Sequence, residues 1–366
     1  MQNRAKKNRR RKQISLITNI ISCIITLTAL TGCIVLVLQN YSLKNQSMAA
    51  SARIEEYEDF TAEHVYTKAD VEAFKQEAAA EAKEEERNDL LIDIKQRMAT
   101  GGTTAQLLRD YFPEDVVVYS DGQYNFFPVS ETLKKHEYVY DNFVQEEGTL
   151  EISYVDDTDV VVSKKGIDVS KHQGKIDWKK VASDGVDYAF IRVGFRGSSE
   201  GKLMEDEYFR ANVEGALKND IEIGVYFYTQ ALDEEEAIEE AEMVLELIEE
   251  YEVTYPIVYD IEEPTGSSAR TADMTKEEYT AATIAFCERI REAGYEPMIY
   301  GNLKTFLIML DMEQLETYEK WFAYYNDTVY FPYEFGIWQY SSTGSIDGIN
   351  GEVDMNVCMK SYGETE

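Results

Sequence analysis

From residue 166 onward, short apolar runs of strand length alternate with longer stretches of helical periodicity. Candidate strands fall at 166–169, 187–193, 221–228, 255–261, 296–300, 321–325 and 335–340. Helical patterns lie near 177–184, 204–219, 233–251, 275–293 and 303–310. Strands joined through helices pair in parallel, and their helices must cover the sheet faces. The alternation therefore predicts an α/β fold, either a closed β/α barrel or an open doubly wound sheet. No glycine-rich phosphate loop follows any of these runs, so a nucleotide-binding sheet lacks its best support.

Charge and ligand chemistry narrow the function further. The 366-residue chain carries a net charge of −33, which disfavours nucleic acid, because phosphate binding depends on clustered Lys and Arg. Its only histidines, His64, His136 and His172, lie far apart, and no cysteine or histidine spacing suggests zinc. Cys287 and Cys358 either pair in an oxidising compartment or remain separate buried thiols.

In a β/α barrel, functional side chains gather where the strands end. Asp168 closes the first candidate strand, and Tyr226 and Tyr228 close the third. Asp260 and Glu262 close the fourth; Trp338, Gln339 and Tyr340 close the last, and Asp354 follows in Val353-Asp354-Met355-Asn356. Residues i and i+2 of a strand share a face, so Asp260 and Glu262 point together while Ile261 turns into packing. Converging carboxylates repel, and ionising one raises the pKa of the other, which splits them into a proton donor and an anion. Breaking a glycosidic bond needs that division: an acid for the leaving oxygen and negative charge beside an oxocarbenium-like carbon. The rival account of four acids is an oxygen-only magnesium or calcium site. The neighbouring Tyr and Trp rings favour sugar, whose apolar faces stack on aromatics; core packing is the alternative for Tyr226 or Tyr228 taken singly.

Eight short stretches, in order, carry a family resemblance. They are Gly-Ile-Asp-Val-Ser at 166–170, His-Gln-Gly at 172–174, Ile-Asp-Trp at 176–178, Phe-Ile-Arg-Val-Gly at 190–194, Val-Tyr-Phe-Tyr at 225–228, Asp-Ile-Glu at 260–262, Ile-Trp-Gln-Tyr at 337–340 and Val-Asp-Met-Asn at 353–356. Through them, residues 165–362 resemble glycoside hydrolase family 25, the Chalaropsis-type lysozymes or N-acetylmuramidases. The resemblance implies an irregular TIM-like β/α barrel that hydrolyses the β-1,4 bond after N-acetylmuramic acid in peptidoglycan glycan strands, without a cofactor or metal. It also implies roles. Glu262 is the expected general acid. Asp260 is expected as its partner, either a nucleophile or the group that orients the substrate's own 2-acetamido for attack. Asp168 and Asp354 complete the acidic cleft, while Tyr226, Tyr228, Trp338 and Gln339 shape the sugar subsites. Tyr226-Phe227-Tyr228 departs from the family's usual Tyr-His-Phe, which bears on substrate preference rather than on the reaction. A sugar-binding barrel without catalysis is the alternative function.

The preceding residues predict a route to the wall. Residues 1–13 carry seven Lys and Arg and no acid, and Ile14 to Gln39 are 26 consecutive uncharged, mostly apolar positions. As a helix this run is about 39 Å long, enough for a hydrocarbon core of about 30 Å, with the basic tail cytoplasmic. A single-pass transmembrane helix at 14–39 is the expectation, with the catalytic part extracellular. A cleaved signal peptide and a lipoprotein box at Leu30-Thr31-Gly32-Cys33 are its rivals. Residues 40–102 read as a helical stalk, capped by Thr67 and Asp70 and stopped at Gly101-Gly102, with self-association or contact with a secretion apparatus as its expected partnerships. Residues 103–164 form a small α+β segment without evident chemistry: a helix at 103–111, then a hairpin signalled by Asp121-Gly122. Residues 165–366 are the hydrolase domain.

Overall fold

The computed structural model describes residues 40–54, 66–264, 266 and 268–362. The expected tail (1–13) and transmembrane helix (14–39), with Cys23 and Cys33, lie outside them. Among the described residues, no helix is long and apolar enough to cross a membrane. The chain forms two compact units, divided between Gln96 and Arg97.

The first unit is helical where described. Residues 40–54 form α1, exposed throughout. The second helix, α2 (Lys68–Ala99), runs on for 32 residues and contains no buried side chain. Its start is the capping box expected from the sequence. The Thr67 amide donates to Asp70 Oδ2 at 2.7 Å, and the Asp70 amide donates to Thr67 Oγ1 at 3.3 Å. At its end Gly101 adopts φ 95°, and the Gly102 amide returns to the Arg97 carbonyl at 3.0 Å, satisfying an otherwise orphaned helix terminus.

The second unit begins with α3 (Thr104–Tyr111) and the hairpin of β1 (Asp115–Ser120) and β2 (Gln123–Pro128). Ser120 pairs with Gln123, and the two turn residues have φ 53° (Asp121) and 80° (Gly122). Both left-handed positions make this the primed turn that Asp-Gly favours. A second pair, β3 (Phe143–Gln145) and β4 (Ile152–Tyr154), has no clear sequence signal.

The barrel follows. Its strands are β5 (Lys164–Val169), β6 (Tyr188–Arg196) with a short antiparallel appendage β7 (Leu203–Glu205), β8 (Glu222–Tyr228), β9 (Ile257–Asp260), β10 (Pro297–Gly301), β11 (Glu319–Ala323), β12 (Ile337–Gly344) and β13 (Val353–Cys358). Pairing of β5 with β6 closes the ring β5-β6-β8-β9-β10-β11-β12-β13. Between strands lie α4 (Trp178–Ser183), α5 (Phe209–Leu217), α6 (Glu234–Ile248) and α7 (Lys276–Glu292). Closure decides between the two architectures left open by the alternation. The expected helix near 303–310 is a π-helical turn, Thr305–Met309.

The irregularity lies in β13, which runs antiparallel to both β12 and β5. It is not among the candidate strands, because Asp354 and Asn356 interrupt Val353, Met355 and Val357. In the barrel that alternation is the two faces of a strand, with the polar pair turned inward.

Strand alternation separates two apolar layers. Outward residues, including Ile167, Ile191, Val225, Phe227, Tyr259, Phe322 and Trp338, pack beneath the helices and loops. Inward residues Tyr188, Phe190, Val258, Met298, Trp321, Ile337 and Cys358 fill the barrel interior. That interior is aromatic, and glycines make room for it. A Cβ on Gly166 would lie 2.1 Å from the Tyr188 ring, and one on Gly224 would lie 2.2 Å from Phe190. Cys287 and Cys358 are both buried and unpaired, Cys287 in the outer layer and Cys358 in the inner one.

Candidate active site

Above the aromatic interior, the inward residues become polar and line a cleft of about 580 Å³. Strand register builds its walls. Asp168 on β5 faces Asp354 on β13, Arg192 on β6 faces Tyr226 on β8, and Asp260 on β9 lies between Tyr228 and Tyr300. Glu262, two residues past Asp260, lines the same cleft, while Ile261 is buried in the outer layer. The four acids expected from separate segments thus converge.

Their environments differ. Asp168 is buried, and its Oδ2 accepts from Gln339 Nε2 at 2.8 Å and Asn356 Nδ2 at 2.9 Å. Burial and the neighbouring Asp354 push its carboxyl well above the usual range, against the pull of those two donors. Asp260 is 5% exposed, and its Oδ1 has no hydrogen-bond partner. Burial and then the Glu262 charge raise its pKa strongly. Burial also raises Glu262, opposed by Arg192, and raises Asp354 to about 6. Each shift has the same physical origin: an ion loses water without gaining an equivalent partner.

Beside Lys171, which lines the same cleft, Arg192 is a cation facing this group. It is held by Asp206, with Nε donating to Oδ2 at 2.8 Å and Nη2 lying 2.7 Å away. The Lys171 amide donates to the same oxygen at 3.0 Å. Arg192 is therefore already paired and supplies only part of the positive charge that four carboxylates require. A group of this kind holds protons at pH values where ordinary carboxylates have lost them, and in a water-restricted cleft that is acid–base capacity.

The structure also corrects one expected sugar contact. Tyr226, Tyr228 and Gln339 line the cleft, but Trp338 does not. Being next to Gln339 on β12, it points out of the barrel, is fully buried, and meets Phe143 edge-on at 5.3 Å. Its Nε1 donates to the Tyr324 carbonyl at 2.8 Å. The cleft's tryptophan is Trp321, on the inward face of β11, whose Nε1 donates to Asn356 Oδ1 at 2.8 Å. Period-two alternation places Trp338 and Gln339 on opposite faces, so they could not both line one cavity.

Sequence reasoning also missed Arg192, Tyr300, Tyr325 and Asn356. Tyr300 ends a candidate strand, and the rule that selected Tyr226 would have found it. Tyr300 and Tyr325 hydroxyls both donate to Gln339 Oε1, at 2.7 and 2.8 Å, so Gln339 links two rings to Asp168. Arg192 carried a signal too, as a lone cation two residues beyond Phe190 on the inward face. Tyr325 ends the candidate strand 321–325, so the strand-end rule would have found it as well, although β11 itself stops at Ala323. Among the described residues, no cluster of His, Cys, Asp or Glu has an arrangement suited to a metal ion.

Known proteins match this region. The model of the family described as glycosyl hydrolases family 25 covers residues 167–349, half of the chain. The chain is 29% identical over 198 residues to the uncharacterized protein YegX of Escherichia coli strain K12, covering 52% of this chain and 68% of YegX. It is 24% identical over 198 residues to an autolytic lysozyme of Clostridium acetobutylicum, covering 52% of this chain and 55% of that protein. Among solved structures, the modular autolysin LytC of Streptococcus pneumoniae superposes with a TM-score of 0.50 and 28% identity, over 66% of this chain and 57% of LytC. The same values hold for LytC in complex with a synthetic peptidoglycan ligand. The chain thus spans little more than half the length of LytC. A family match across half the sequence meets a closed barrel whose acids converge at the strand ends, and the chain belongs to glycosyl hydrolase family 25, its barrel being a glycoside hydrolase domain.

Proposed function

We propose that the protein is a lysozyme-type muramidase that hydrolyses the β-1,4 bond between N-acetylmuramic acid and N-acetylglucosamine in peptidoglycan. The observation that carries this reading is a buried Asp260, its Oδ1 left without a partner, set beside Glu262 at the exposed rim of the same cleft. Glu262 is the general acid: partial loss of water in the cleft raises its pKa, which favours the proton-carrying form that the leaving oxygen requires. Asp260 supplies negative charge at the anomeric carbon, as a nucleophile or by orienting the 2-acetamido group. Asp168 and Asp354 tune protonation and hold sugar hydroxyls, and Tyr226, Tyr228 and Gln339 shape the subsites. No cofactor takes part. The likeness to an autolytic lysozyme and to an autolysin studied with a peptidoglycan ligand supports the substrate.

Purified protein should release new reducing ends from peptidoglycan, with N-acetylmuramic acid at the reducing end by mass analysis. General acids contribute about 10²–10⁴-fold, so Glu262→Gln should cost at least about 100-fold. Turnover that survives this substitution sinks the assignment. Binding to wall without any hydrolysis favours the sugar-binding alternative.

The apolar run at 14–39 and its basic flank support a single-pass anchor with the hydrolase outside the cell, on a leash formed by residues 40–102. Such a tether suits remodelling or local opening of the wall, for instance around a secretion apparatus. The reading fails if fractionation recovers the mature protein from the medium. Along α2, Val71, Phe74, Leu90, Leu91 and Met98 are exposed, which supports self-association through the stalk; sedimentation of the full chain as a monomer opposes it.

A further inference from the structure

The α3–β1–β2 segment lies outside the matched residues 167–349, yet it grips the rim of the site at two points. At the first, Arg109 on α3 donates to the Tyr324 hydroxyl and lies 3.9 Å above the Tyr330 ring. The Tyr330 hydroxyl in turn accepts from the Val117 amide at 2.9 Å and donates to the Asp115 carbonyl at 3.2 Å, pinning it to β1. At the second, the hairpin tip places Asp121 Oδ2 3.3 Å from Lys304 Nζ, which also binds the Glu263 carboxylate. Glu263 adjoins Glu262.

These anchors share one neighbour. A second cavity, of about 490 Å³, is lined by Ile261, Glu262, Glu263, Tyr300, Asn302 and Ala323, with Tyr324 and Tyr325 completing its wall. Glu262, Tyr300 and Tyr325 line both this cavity and the four-acid cleft. A proton donor shared by two cavities suits a bond whose halves occupy one each. With Asp260 and the other acids around the glycosyl half, the second cavity is left for the leaving half.

We propose that the α3–β1–β2 segment is a positioning part of the hydrolase: through Arg109 and the Asp121–Lys304–Glu263 chain it fixes the cavity that receives the sugar beyond the scissile bond. The inference rests on the glycosidase reading and adds to it. Tyr324 and Tyr325 lie past the end of β11; the Tyr324 amide still donates to the Gln339 carbonyl at 2.9 Å, but the two rings are placed by side-chain contacts. From inside the barrel Gln339 holds Tyr325, and from outside Trp338 holds the Tyr324 carbonyl. Arg109 holds the Tyr324 side chain. Arg109 and Asp121 are positioning residues, since neither lines either cavity.

The test compares two substrates, long glycan strands and an aryl glycoside whose leaving group carries no sugar. Arg109→Met keeps the apolar stem over Tyr330 and loses the donor, Arg109→Lys restores a cation, and Asp121→Lys opposes Lys304 with a like charge. On glycan strands, Arg109→Met and Asp121→Lys should raise KM about tenfold with kcat less affected, and Arg109→Lys should recover part of the loss. On the aryl glycoside all three should stay within twofold of wild type, with unfolding temperatures showing that each is folded. Equal losses on both substrates, or no loss on strands, overturn the positioning role while leaving the muramidase reading intact. Wild-type protein inactive on both substrates overturns the two together.

Discussion

Replacing Asp354 by Asn should make the protein more stable at pH 8 and leave it unchanged near pH 4. Asp354 faces Asp168 across the β13–β5 ladder, and burial, reinforced by the Glu262 charge, raises its pKa from 3.8 to about 6. A carboxyl with a raised folded-state pKa favours the fold while both states are protonated. That contribution is intact below about pH 4 and is lost as pH rises through 6. At ~1.36 kcal/mol per pH unit, holding the folded ion at pH 8 costs about 3 kcal/mol relative to the unfolded chain. Asn keeps the shape and carries no charge, so the variant should recover most of that. For a domain of 150–250 residues, this corresponds to a rise of roughly 6–12 °C in unfolding temperature at pH 8. Scanning calorimetry of wild type and variant at pH 4 and pH 8 measures it directly. An equal gain at both pH values, or none at pH 8, would refute the claim that holding this acid as an ion in the cleft costs the fold stability. The same substitution should lower activity, because sites built for chemistry commonly give up stability.

Three further outcomes follow from the geometry. Hydrolysis should decline on the alkaline side as pH rises through the pKa of Glu262, which burial holds above 4.5; a kcat profile with its alkaline limb at or below 4.5 would contradict the raised acid. Gly166→Ala would drive a Cβ to 2.1 Å from the Tyr188 ring, and overpacking of this kind costs about 1–3 kcal/mol, readable as a lower unfolding temperature; an unchanged temperature would mean that the ring moves freely. Trp338→Phe, which removes the hydrogen bond to the Tyr324 carbonyl, should cost about 1 kcal/mol of stability and loosen the Tyr324–Tyr325 turn, seen as faster amide exchange there; slower hydrolysis with exchange unchanged would return Trp338 to the sugar site.

Much of the barrel was legible because its signals are local. Each apolar run from 166 to 340 became a strand within a few residues of its expected position, and Asp-Gly at 121–122 became the turn of a two-residue hairpin. Asp168, Asp260 and Glu262 were recognisable because strand ends face the site in this architecture. β13 escaped because alternation of Val353, Met355 and Val357 with Asp354 and Asn356 has the same composition whether it is a polar loop or a strand facing an acidic interior. Trp338 was misassigned because an aromatic at a strand end carries no mark of the face it takes, and β3 and β4 are too short for periodicity to show.

Local pattern and residue chemistry therefore determined most of the element types, the acids and the family likeness, since backbone propensity and alternation act over a few residues. Closure of the sheet determined the remainder. Only when β5 met β6 and β13 did it become settled which side of each strand was inside, that Trp321 rather than Trp338 lines the cleft, and that Gln339 joins Asp168 to Tyr300 and Tyr325. The raised acidities arise at the same level, because burial and repulsion depend on distances between segments as far apart in sequence as Asp168 and Asp354. Such distances are properties of the closed ring and of no single stretch of chain.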